Sequence, residues 1–175
     1  GGNDFITGNK TPDDIITNYR SGLAQLAHLG AAQVIIMKLP DFSGVPAVRD
    51  WKAADKQALK EKSVTFNMQV DLLAQELNRT YPGTRFIVLS LDKAYDNLIT
   101  HANTLGYVNT KDTCLDIKTD TLSYMYHHNP RPDCKNSGGR YLFWDTMHPT
   151  TYAHADLSKM LFQELQLKLQ ETAPR

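Results

Sequence analysis

The sequence predicts an α/β protein built on a parallel sheet, and three observations carry that expectation. Short apolar runs alternate with longer amphipathic stretches in the order helix, strand, helix, strand, helix, loop, helix. The two strand-like runs, 33–39 and 85–90, are apolar without polar alternation, as strands buried on both faces require. Helix caps and breakers stand at the boundaries between these stretches.

The first helix begins at Thr11-Pro12-Asp13-Asp14. Thr11 suits the cap, Pro12 the first helical position, and the two acids the positive end of the helix dipole. Ile15, Ile16, Tyr19, Leu23 and Leu26 recur at helical spacing, and Gly30 ends the element. The run Gln33-Val34-Ile35-Ile36-Met37-Lys38-Leu39, stopped by Pro40, is the first strand. A loop over 41–50 follows, then a long helix over 54–79 with Leu59, Phe66, Val70, Leu73 and Leu77 on one stripe. Tyr81-Pro82-Gly83 breaks it before the second strand. A helix over 92–104 presents Tyr95, Leu98, Ile99 and Ala102 and stops at Gly106. The stretch 107–141 reads as irregular. A last helix over 150–170 aligns Leu157, Leu161, Leu165 and Leu169, and 171–175 reads as a frayed tail.

Two strands are too few for a stable sheet covered on both sides. The sequence therefore predicts that further strands come from polypeptide preceding Gly1, because the chain opens Gly1-Gly2-Asn3-Asp4 without a methionine. The 175 residues suffice for one domain with a sizeable core. Lys plus Arg and Asp plus Glu number 19 each, which gives no electrostatic argument for nucleic acid or an anionic surface. No apolar run approaches the roughly 18 residues of a transmembrane helix.

Two cysteines, Cys114 and Cys134, flank a stretch rich in Asp, Asn and Pro. A bridge between them would close a loop that stabilises by about 3 kcal/mol and would indicate an oxidising compartment. Two free thiols in a reducing compartment are the alternative. A zinc set of Cys114, His127, His128 and Cys134 is poorly spaced, with adjacent histidines and no Cys-x-x-Cys pair. His28, His101 and His154 fall on helices as ordinary surface or boundary residues. The cluster Tyr124-Met125-Tyr126-His127-His128 either lines an apolar groove or packs the loop, and the sequence does not separate the two.

The sharpest chemical signal is Trp144-Asp145-Thr146-Met147-His148-Pro149-Thr150. A carboxylate three residues before a histidine, just ahead of a capped helix, can accept a hydrogen bond from Nδ1. That fixes the tautomer and directs Nε2 toward the proton of a nucleophile. The plainer reading has Asp145 and Thr150 capping turns. At the other end, Gly1-Gly2-Asn3-Asp4 lets backbone approach a ligand, and the Asn3 amide can donate to a developing oxyanion. Alone, that block also reads as a tight turn.

Taken together and in order, Gly-x-Asn-Asp, strand–helix alternation and Asp-x-x-His before the last helix resemble the SGNH/GDSL hydrolase family over nearly the whole chain. Leu39-Pro40-Asp41-Phe42-Ser43-Gly44-Val45-Pro46 is similar to a loop of secreted bacterial members, which include lysophospholipases and glycerophospholipid–cholesterol acyltransferases. The resemblance implies a three-layer α/β/α, flavodoxin-like fold with a parallel sheet. Residues 1–175 would be the C-terminal portion of one such domain, lacking its N-terminal strands. It implies a serine esterase acting on lipid or other esters, without metal or organic cofactor, secreted or at the periplasm or cell surface. Asp145 and His148 would be the acid and base of a triad, Asn3 an oxyanion donor and Gly1 a supporting backbone element. Phe42, Val45 and Met147 would face substrate.

The family's nucleophile stands in a Gly-Asp-Ser block that this chain lacks, so the missing N-terminal segment is the expected partner. Ser90 ends a strand but has no flanking glycines and reads as structural. A carbohydrate acetylesterase on the same fold and a non-catalytic binding module remain alternative readings.

Overall fold

The computed structural model describes residues 1–6, 8, 10–117 and 129–170. The Tyr124–His128 cluster and the 171–175 tail lie outside the described residues.

The elements follow the expected order, with additions. A short helix, α1 (Gly2–Ile6), precedes α2 (Pro12–His28), β1 (Gln33–Met37), α3 (Ala53–Thr80), β2 (Arg85–Leu89) and α4 (Leu91–Thr100). Then come β3 (Asn109–Thr113), α5 (Pro132–Asn136), β4 (Tyr141–Phe143) and α6 (Thr151–Gln170). Thr11 caps α2 as expected, and the Asp14 carboxylate accepts the Thr11 backbone N–H in a full capping box. α4 stops at Thr100, short of the expected 104, and the chain then turns to Gly106 at φ +86°. Leu26, placed on the apolar stripe of α2, is 43% exposed.

Strands β1 and β2 pair in parallel, Gln33 opposite Arg85 through Met37 opposite Leu89. Alternation sends Lys38 toward α3, where it meets Asp71, and Arg85 toward α6, where it meets the Lys168 carbonyl. The sheet therefore lies between α2 and α3 on one side and α6 on the other. The α3 stripe (Phe66, Val70, Leu73, Leu77) is buried as its spacing predicts. β3 and β4, also parallel, form a second small sheet. β3 falls in the stretch 107–141 read as irregular, and β4 begins at its last residue, Tyr141.

One expectation is corrected. β2 is buried as predicted, but β1 is not enclosed on both faces: Ile35 and Met37 are each 46% exposed. The two side chains face the α6 side of the sheet and line a cleft there. Ala32 C=O accepts from Arg85 N–H and Lys38 N–H donates to Leu89 C=O, so the odd residues of β1 turn their peptide groups away from β2. Among the described residues no strand pairs with that edge. The far edge of β2 is treated differently. The Asn78 amide bonds both Phe86 N–H and Phe86 C=O, Lys168 Nζ donates to Val88 C=O, and Glu164 accepts Ser90 N–H. Side chains close the β2 edge, whereas the β1 edge stays open.

Cys114 and Cys134 form a disulfide, which removes both from the imagined zinc set. Ser90 is structural, as read: its hydroxyl donates to Glu164 at 3.0 Å.

Burial tends to raise the Glu164 pKa, but the hydrogen bonds from Ser90 and Lys168 outweigh it and hold the carboxyl below its ordinary value. A depressed folded-state pKa stabilises above the unfolded-state value, about 4.3, and that stabilisation is lost as pH falls through the folded-state value. Glu164→Gln is therefore expected to melt lower than wild type at pH 7. The gap should narrow below about pH 4. A gap in thermal melts that stays constant down to pH 3 would contradict this.

Candidate active site

The loop between β4 and α6 is organised around Asp145. Its carboxylate is 2% exposed. Oδ1 accepts the backbone N–H groups of Met147 and His148, each at 2.7 Å, and Oδ2 stands 2.7 Å from His148 Nδ1. The same side chain thus folds the loop and fixes the imidazole. Trp144 N–H closes the turn onto His148 C=O at 2.8 Å. Thr150 then caps α6 with its hydroxyl oxygen while that hydroxyl donates to Tyr141 C=O at 2.6 Å. The buried carboxylate has its partners, and the His148 side chain is 57% exposed at the cleft rim. Such a pair is built to receive a proton at the exposed end of the ring.

The first residues are brought to the same cleft. Phe5 sinks into the core, its ring edge-on to Phe66 at 6.0 Å, and so seats α1. Gly1 and Gly2 are glycines for a steric reason. A Cβ on Gly2 would stand 2.6 Å from the Phe42 ring, and one on Gly1 would stand 3.1 Å from Leu39 Cδ2. The Asp41-Phe42-Ser43 turn after β1, where the Asp41 side chain accepts Ser43 N–H at 2.8 Å, presses against α1. At its other end Ala47 N–H donates to Thr146 C=O at 2.9 Å, which ties this segment to the histidine loop.

The resulting cleft is about 860 Å³ and is lined by Asn3, Phe42, Val45, Met147 and His148 together. All the substrate-facing residues named from the sequence therefore border it. Val45, 3% exposed, belongs mainly to the core beneath. The sequence reading missed the remaining walls: Leu89, Leu91 and Tyr95 beyond β2, and Leu157, Leu161, Phe162 and Leu165 of α6. Their signal was present in the strand tip and in the i, i+4 spacing of the leucines. His154, read as an ordinary surface residue, also lines the cleft, as does Ser158, whose hydroxyl donates to Ala155 C=O. Burial, with Asp41 and Asp96 nearby, pushes the Tyr95 hydroxyl well above its usual pKa, so it stays neutral.

A family model described as GDSL-like lipase/acylhydrolase matches residues 1–161. The chain belongs to this family. Relatives at lower identity agree. It is 27% identical over 165 residues to the thermolabile hemolysin of Vibrio parahaemolyticus, covering 93% of this chain and 39% of that protein. It is 25% identical over 153 residues to a GDSL esterase/lipase of Arabidopsis thaliana, covering 85% of this chain and 41% of that one. The GDSL chain thus spans about two-fifths of the length of these relatives, 39% and 41%. Among its described residues, no helix is long and apolar enough to cross a membrane.

Proposed function

We propose that this chain supplies the base, the orienting acid and one oxyanion donor of a serine ester hydrolase acting on lipid esters, with the nucleophile on polypeptide preceding Gly1. The observation that carries the reading is the Asp145–His148 pair at 2.7 Å on the rim of a cleft it shares with Asn3. In the proposed cycle the serine hydroxyl attacks the ester carbonyl as His148 takes its proton. The oxyanion forms against Asn3 and backbone amides. His148 returns the proton to the departing alcohol, and water or another hydroxyl then releases the acyl group.

The open β1 edge supports the expectation of an upstream segment. Ile35 and Met37 stand there with exposed side chains and outward-facing peptide groups, as a strand awaiting a parallel neighbour does. On this reading the added strand pairs with the β1 edge, and the acyl chain lies in the cleft between Phe42, Met147 and Leu157. Those apolar walls favour a lipid ester over a sugar ester. The Cys114–Cys134 bridge supports an oxidising, secretory location.

The test uses the polypeptide extended upstream of Gly1 through its Gly-Asp-Ser segment. A fluorophosphonate should label one serine in that upstream segment, and turnover of nitrophenyl esters should rise from acetate to longer acyl chains. Labelling of Ser90 or Ser158, or no labelling, would sink the assignment of the nucleophile. Preference for acetate would sink the lipid reading.

A further inference from the structure

α3 buries two polar side chains, Ser63, whose hydroxyl donates to Leu59 C=O within the helix, and Asn67, which reaches outside it. Asn67 stands between Phe66 and Val70 and is 9% exposed, in a helix interior where asparagine is a poor helix former. Its amide is fully engaged with one residue: Oδ1 accepts Leu39 N–H at 2.7 Å and Nδ2 donates to Leu39 C=O at 2.8 Å. Leu39 is an odd residue just past β1, so its peptide groups face away from β2. Asn67 supplies both hydrogen bonds that a neighbouring strand would otherwise make there.

This clamp reaches the cleft in one further contact. The Leu39 side chain lies under Gly1, and the Phe42 ring, three residues on, lies under Gly2. Phe66, the residue before Asn67, takes the Phe5 ring at 6.0 Å. Successive residues of α3 thus support α1 at two points, Phe5 directly and the Gly1–Gly2 backbone by way of Leu39, and Asn3 lies between those points in sequence.

We propose that Asn67 is a positioning residue, which through Leu39 and Phe42 sets where the Gly1–Gly2 backbone places the Asn3 amide. The inference rests on the oxyanion role proposed for Asn3. Donors to an oxyanion work over a few tenths of an ångström, and a misplacement near 1 Å can cost about a hundredfold in rate. A turn resting on Leu39 moves when Leu39 loses its clamp.

The test is a double-mutant cycle in the polypeptide that includes the upstream serine segment. Asn3→Ala should lower kcat by about a hundredfold to a thousandfold. Asn67→Ala should lower kcat by about tenfold to a hundredfold with KM changed less than about threefold. In the Asn3→Ala background the Asn67→Ala step should cost less than about threefold, because the group it positions is gone. Leu39→Ala leaves the helix polar group in place and should show the same background dependence, which covers the case in which Asn67→Ala folds poorly. Equal losses from Asn67→Ala and Leu39→Ala in both backgrounds would overturn the inference and leave a purely structural role. No loss on Asn3→Ala alone would instead overturn the oxyanion reading on which it rests.

Discussion

In the polypeptide that includes the upstream serine segment, replacing His148 by alanine should reduce ester turnover by about three to six orders of magnitude while the melting temperature barely moves. The two halves of that expectation come from different atoms. The ring is more than half exposed at the cleft rim, so its removal opens no cavity, and the His148 N–H that Asp145 accepts belongs to the backbone and survives the change. Asp145 cannot be dissected so cleanly. Its Oδ1 holds two backbone amides and its Oδ2 holds Nδ1, so Asp145→Ala should lose both activity and loop structure. Asp145→Asn is the informative variant. The carboxamide can keep the amides on its oxygen but turns an N–H toward Nδ1, which forces the wrong tautomer. Turnover should fall about 10³- to 10⁴-fold in a folded protein. Near-normal turnover in both His148→Ala and Asp145→Asn would remove the catalytic assignment.

The second large effect is on stability. Breaking the Cys114–Cys134 bridge, by Cys134→Ser or by reduction, should cost about 3 kcal/mol, from the chain entropy of a loop closed at that separation. For a protein of this size each kcal/mol shifts Tm by about 2–4 °C, so a fall of roughly 6–12 °C is expected in calorimetry. The bridge ties the residue after β3 to α5, beside the second sheet. Cys114 N–H donates to Phe143 C=O at 2.8 Å, its carbonyl accepts Arg131 N–H at 2.7 Å, and Cys134 lies in α5 beside buried Tyr141. Phe143 is two residues from Asp145, so the loss should also slow ester turnover. An unchanged Tm on reduction would show that the hydrogen bonds alone hold this region.

Much of this was legible in the residues, because local chemistry decided it. The Thr11 capping box, the α3 and α6 leucine stripes and the Asp145–His148 spacing each act over a few positions, and each stands where its pattern put it. What escaped was decided at a distance. β3 reads Asn109-Thr110-Lys111-Asp112-Thr113, without the apolar alternation of a strand, and is one because β4 lies alongside. β4 has three residues, too few to announce themselves. Ile35 and Met37 look like core because periodicity records which residues want burial, and says nothing of whether a neighbour is present to bury them. Asn67 carried a readable clue, an amide beside the apolar residues of the stripe, but its partner Leu39 is 28 positions away.

The unequal treatment of the two sheet margins has a practical corollary. With Asn78, Lys168 and Glu164 occupying one flank, growth of the sheet is directional: among the described residues, the side of Gln33, Ile35 and Met37 is the one left to recruit another strand. An uncovered margin of this kind can pair with the next available strand, including the same margin of a second copy. Self-association through that margin is the hazard this architecture carries, and a strand that pairs with it would suppress the association.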